Sequence, residues 1–132
     1  MFSSSSFVLQ SRTMIHNSVL PLLLLLGTCS ASTYQNVALR GKATQSTHVD
    51  HNFGDAYSAI DGNRDSNFYS GSCSHTAEET NPWWRVDLLE SYIVTSIIVI
   101  NRGDGGSEYL NGAEVHIGDS LTDNGAANPL SI

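Results

Sequence analysis

Between Asn81 and Ile100 the chain carries two runs whose side-chain pattern leaves little choice of backbone. In Asn81-Pro-Trp-Trp-Arg-Val-Asp-Leu-Leu89, Trp84, Val86 and Leu88 alternate with Trp83, Arg85 and Asp87. A period of two puts the first set on one face of a strand and the second on the other. Arg85 and Asp87 then share the outer face and are expected to pair. Tyr92-Ile-Val-Thr-Ser-Ile-Ile-Val-Ile100 is β-branched almost throughout, which suits a central strand. Ala113-Glu-Val-His-Ile117 alternates again, with Val115 and Ile117 expected inward and Glu114 and His116 outward. Asn36 to Ser46 reads as an extended segment, strand-like at Val37, Leu39 and Thr44 and bent at Gly41. No stretch shows helical spacing over a useful length. Short strands separated by Gly, Asn and Asp turns predict an all-β sandwich.

Residues 1–32 are expected to be a cleaved signal peptide outside this fold. Arg12 and His16 precede the apolar run Val19 to Leu26, and small residues follow through Ser32. The run is too short for a comfortable membrane span, which takes about 20 apolar residues. Met14 offers a second start site. Cleavage near Ala31 or Ser32 predicts secretion and leaves one small domain over 33–132. The formal net charge of −7 becomes −8 once Arg12 is gone. Such a surface argues against binding nucleic acid or anionic membranes through charge. Cys29 leaves with the leader, so Cys73 is a lone cysteine in an oxidising compartment. That points to a missing partner or an intermolecular bond.

The chemistry concentrates between Ser58 and His75. Asp61-Gly62-Asn63 predicts a tight turn. Asp61, the Asn63 region and Ser72 place hard oxygen donors close together, which suits Ca²⁺, although an ordinary polar turn carries the same residues. Phe68 and Tyr69 offer flat apolar faces and His75 a polar tip, the ingredients of a sugar-binding rim. Asn101 to Tyr109 joins two expected strands, with Arg102 at a strand exit, where loops carry function. Arg102-Gly-Asp104 also spells an integrin-type tripeptide, a match that arises often by chance. His48 and His51 lie in a polar loop with no further ligands to complete a zinc set. No serine elbow or rigidly framed carboxylate pair is legible, so no enzyme is expected.

From about Tyr34 onward the chain resembles the F-type lectins, or fucolectins. The resemblance rests on Asn36-Val-Ala-Leu-Arg-Gly-Lys-Ala-Thr-Gln-Ser46, Ala59-Ile-Asp-Gly-Asn-Arg-Asp-Ser-Asn-Phe68, Asn81 to Leu89, Asn101-Arg-Gly-Asp104 and Asn111 to Gly118. It implies a discoidin-like β-jelly roll, bound Ca²⁺ and recognition of terminal L-fucose on glycans. It also implies homotrimers and a role in innate immune recognition. The family's sugar motif is His, 26 residues, Arg-x-Asp, four residues, then Arg or Lys; His75, Arg102 and Asp104 fit it, and Tyr109 stands in the last place. By resemblance His75 and the basic residues hydrogen-bond the axial hydroxyl, the ring oxygen and a neighbouring hydroxyl. The apolar edge of fucose would lie on Tyr69 and Phe68. An arginine at 109 is expected to strengthen binding by restoring the missing donor.

The resemblance further assigns calcium to backbone oxygens at Ser58 and Asn63, the Asp61 carboxylate and Ser72. These fall short of the six to eight oxygens calcium prefers. In the family, residues beyond the point matching Ile132 supply closing strands, a partner for Cys73 and a glutamate ligand. Adjacent cysteines of the family correspond here to Gly105 and Gly106. Two other readings follow: a lectin-like chain that has lost sugar binding, and the carbohydrate-binding piece of a glycosidase.

Overall fold

The computed structural model describes residues 6–11, 35–49 and 52–131. Among the described residues five strands form two antiparallel sheets: β1 (Ser6–Ser11), β2 (Gln35–Asn36), β3 (Lys42–Gln45), β4 (Trp84–Asp87) and β5 (Val94–Ile100). One sheet has the order β2-β1-β5 and the other is the pair β3-β4. The register of β1 on β5 runs from Ser6 opposite Ile100 to Ser11 opposite Val94. β1 falls in the segment read from sequence as a leader. The apolar run Val19–Leu26, the expected cleavage zone and His51 lie outside the described residues.

Alternation places the β4 side chains as expected. Trp84, Val86 and Leu88 pack against a buried cluster of Val37, Ala38 and Ile60. The Trp84 indole N–H is satisfied by the Ala56 carbonyl at 2.9 Å, which lets a large amphipathic ring sit half-buried. Gln45 opposite Trp84 and Lys42 opposite Asp87 fix the β3-β4 register. The expected Arg85–Asp87 pair gives way to better local partners. Arg85 donates from Nε to Thr44 Oγ1 at 3.0 Å and lies over the Trp83 ring at 5.3 Å. Asp87 instead accepts from the Leu89 amide at 2.8 Å.

Three strand expectations change. Val37–Arg40 is a 3-10 turn rather than extended chain, because the Asn36 side chain accepts from the Ala38 amide at 3.1 Å and curls the backbone. Val37 is thereby buried, while Leu39 is exposed. The Tyr92–Ile100 run pairs only from Val94, where its register with Ser11 begins. Ala113–Ile117 is reduced to one bridge, His116 opposite Leu130. Pro129 stands in the partner segment and has no N–H to extend a ladder. Without a continuous strand the alternation fails, and Ile117 is exposed while His116 is half-buried.

His116 clasps this last segment. Its Nδ1 bonds the Asn128 carbonyl at 2.8 Å and its Nε2 the Glu114 carboxylate at 3.3 Å. Both partners accept, so the imidazolium satisfies both contacts, and they raise its pKa, Asn128 first and Glu114 second. The stabilisation is complete below the ordinary histidine value, about 6.5, and is lost as pH rises through the raised folded value. Amide protection at Ile117 and Ser131, which bond Pro129 and Val115 carbonyls, is expected to fall over that rise. In His116→Ala the protection should be low at every pH; a persisting pH step there would remove His116 as its cause.

Candidate functional site

The loop from Asp61 to Tyr69 is built by its own side chains. Asp61 Oδ1 accepts from the Asn63 amide at 2.7 Å, Asn63 Oδ1 from Asp65 at 3.1 Å, Asp65 Oδ1 from Asn67 at 2.9 Å and Asn67 Oδ1 from Tyr69 at 2.9 Å. Each short side chain caps the amide two residues on, the geometry Asp and Asn favour in turns. The Asn67 amide, followed by the Ser70 hydroxyl, holds the Asp65 carboxyl below its usual range. Sequence reading missed this ladder, though its signal, Asp-x-Asn-x-Asp-x-Asn from 61 to 67, stands in plain view.

The ladder delivers Phe68 to the centre of the site. Phe68 is buried, with Phe53, Tyr69 and His75 meeting it edge-on at centroid distances of 6.2, 5.5 and 5.5 Å. Its face carries the Arg102 guanidinium, whose Cζ lies 4.6 Å from the ring centroid. Phe68 therefore supports the site from beneath, and Tyr69, 63% exposed, is the ring presented at the surface. Tyr109 also meets His75 edge-on, at 6.4 Å.

Arg102 is clamped twice. Its Nε and Nη2 donate to the two oxygens of Asp104 at 2.7 and 2.8 Å, a bidentate pair. Asp104 Oδ1 also accepts from the Phe68 amide at 3.2 Å, so the carboxylate ties the two loops together. These contacts, the Arg102 bond foremost, hold the Asp104 carboxyl down at about 2. A further tie runs from the Gly103 amide to the Ser66 carbonyl at 2.8 Å. The approach is so close that a Cβ at Gly103 would meet Ser66 Oγ at 2.7 Å. Arg102 and Asp104 are mostly covered and spent on each other, whereas an integrin-type tripeptide must present both charges to a partner.

His75 is set by backbone. Its amide donates to Gly54 O at 2.8 Å, and its carbonyl accepts from Gln45 Nε2 at 3.0 Å. Gln45 also reaches the Thr47 and Gly54 carbonyls, a positioning role that nothing in its sequence context announced. Nδ1 lies 2.7 Å from the Thr76 carbonyl. A carbonyl only accepts, so Nδ1 carries the proton, and Nε2 of the neutral ring is left as an acceptor. Burial lowers the His75 pKa; the Thr76 carbonyl works against this and nearby Arg102 with it. His48, read as a solvated loop residue, pairs with Asp55 at 2.9 Å.

The candidate calcium donors share the Asp61 loop. Ser58 lies at its entry, in the turn Ala56–Ala59. Gly62 has φ +91°, as the expected turn requires. Ser72 is fully buried, and its hydroxyl donates to the Asp65 carbonyl and, at 3.3 Å, to that of Asn67. The donor set of Ser58, Asp61, Asn63 and Ser72 is all oxygen, which fits a hard cation. Among the described residues no three His, Cys, Asp or Glu side chains gather. A cation here would therefore rest on carbonyls with the Asp61 carboxylate. Cys73 is a buried free thiol next to this loop, and no disulfide forms among the described residues.

Residues 58–129 match the F5/8 type C family model described as NedA-like, galactose-binding domain. A fucolectin of Anguilla anguilla is 55% identical over 74% of this chain and 63% of its own length. Fucolectin-1 of Anguilla japonica is 56% identical over 72% of this chain and 55% of its own. The chain thus spans little more than half the length of such relatives. A crystal structure of an F-lectin from striped bass serum superposes with a TM-score of 0.73 at 67% identity, over 74% of this chain and 33% of that one. The fold is accordingly the expected discoidin-like β-jelly roll, and the relatives are lectins rather than enzymes. The chain belongs to the F5/8 type C family of NedA-like, galactose-binding domains, on its F-type lectin branch.

Proposed function

We propose that this chain is a secreted lectin domain that binds terminal L-fucose on glycans, with calcium stiffening the loop beneath the sugar. The observation that carries the reading is the placement of His75 and Arg102 around one ring, Phe68. An acceptor at Nε2 and a fixed guanidinium beside it suit a directional hydroxyl. Convergent polar groups of this kind reject epimers that would leave them unpaired. Ser58, Asp61, Asn63 and Ser72 are the proposed calcium ligands. Lectin affinity for a single sugar is usually weak, so homotrimers displaying several sites would gain by multivalency. By resemblance the role proposed is recognition of fucosylated surfaces in innate immunity.

The test is a glycan array with the purified chain in calcium, repeated after chelation. Fucosylated glycans are expected to bind selectively, and chelation to weaken them at least tenfold. A flat array from protein that melts cooperatively would favour the lectin-like chain that has lost its sugar. That second reading is motivated by Tyr109, which stands where the resemblance motif has a cation.

A further inference from the structure

Tyr109 and Gly106 form one unit. A Cβ at Gly106 would meet Tyr109 Cε2 at 2.5 Å and Cδ2 at 2.8 Å, so the ring lies directly on the glycine backbone. Gly106 has φ +69°, the left-handed region that side chains disfavour. Its carbonyl accepts the Tyr109 amide at 3.1 Å, which closes the turn that holds the ring in place. The ring also meets His75 edge-on at 6.4 Å. Any side chain at 106 would displace the ring from His75.

The charges around this mouth do not favour an anion. The positive charge of Arg102 is matched by Asp104 within hydrogen-bond distance. Asp65 lies close enough to Asp104 to feel its charge. Phe68 and Tyr109 both meet the His75 ring edge-on. Resting on the fucose-binding reading above, we infer that Tyr109, seated on Gly106, is a specificity-determining wall that takes the apolar C–H edge of a neutral pyranose and disfavours acidic sugars. The ring does this by contact, as aromatic faces do with apolar edges. It stands in place of a cation, and on this inference arginine at 109 would weaken rather than improve binding of a neutral sugar.

The experiment is titration of methyl α-L-fucoside and of a sulfated fucoside against the parent, Tyr109→Phe, Tyr109→Leu, Tyr109→Arg, Gly106→Ala and the Gly106→Ala/Tyr109→Leu double variant. Saturation-transfer NMR on the bound sugar gives a direct contact readout. Tyr109→Phe should stay within about threefold of the parent, because the ring remains. Tyr109→Leu and Gly106→Ala should each lose about tenfold. The double variant should be no worse than either, because both remove one contact. Saturation of one sugar edge should drop in Tyr109→Leu, and the sulfated fucoside should bind the parent more weakly than the neutral one. If the parent binds fucoside while Tyr109→Leu binds equally, or Tyr109→Arg binds the neutral fucoside more tightly, the wall is wrong and the lectin reading stands. If the parent binds no fucoside, both fall together.

Discussion

Arg102→Ala is expected to abolish retention on immobilised L-fucose while the protein still melts cooperatively. The guanidinium stands over Phe68, and Asp104 holds it there through two hydrogen bonds. A hydrogen bond to a charged group is worth about 1.5–3 kcal/mol, which is about one to two decades of affinity. For a weak single-sugar site that loss ends detectable binding. Arg102→Lys should fare almost as badly. Lysine has no planar fork for two parallel bonds to Asp104, and a compact ammonium stacks less well on Phe68. Asp104→Ala should weaken binding by less, since the guanidinium keeps its ring but loses its aim. The melt should fall, because the clamp that ties the two loops is lost, but stay cooperative, because Arg102 lies outside the cluster around Val37, Ala38 and Ile60. Titration of methyl α-L-fucoside decides the matter. An Arg102→Ala protein that binds like the parent would place the sugar elsewhere.

The parts of this molecule legible in sequence were those set by local pattern. Trp84, Val86 and Leu88 alternate, and they do pack together on the core. β5 was readable because β-branched residues leave few other options. Contacts between distant segments were not readable. Arg-x-Asp gives no sign that the two side chains close on each other and on the Phe68 amide 36 residues earlier. Phe68 and Tyr69 are neighbours of similar type, yet one is buried and the other exposed, because the ladder of capped amides turns the chain between them. Single residues also overrode propensity: Asn36 capped what looked like strand, and Pro129 cut short what looked like a ladder. The His75 and Arg102 pairing came from motif spacing alone; its physical basis, a shared phenyl ring, is visible only in three dimensions.

Acidification is expected to switch fucose binding off at His75 while the loops around it stay closed. On the proposed reading the ring would bind as an acceptor, which it can do only when neutral, since Nδ1 already donates its proton to the Thr76 carbonyl. Burial, the largest cause, lowers its pKa, and Arg102 adds to this against the Thr76 carbonyl. The neutral ring therefore persists at neutral pH. Stability owed to that neutral ring is complete above the ordinary histidine value and declines as pH falls toward the lowered folded value. Binding should be flat in the alkaline direction and, below the folded value, fall ~tenfold per pH unit, as one added proton requires. The Arg102–Asp104 clamp outlasts this change, because Asp104 stays ionised down to about 2. Its contribution is present above the ordinary aspartate value and is lost only as pH falls through that folded value. His75→Ala should not bind measurably at any pH. His75→Gln keeps a neutral side-chain acceptor, so it should bind more weakly than the parent but lose the step. Titrations of methyl α-L-fucoside across pH, with calcium in excess, compare the parent and His75→Gln. The same acid step in both would assign the proton to another group and leave the imidazole a spectator.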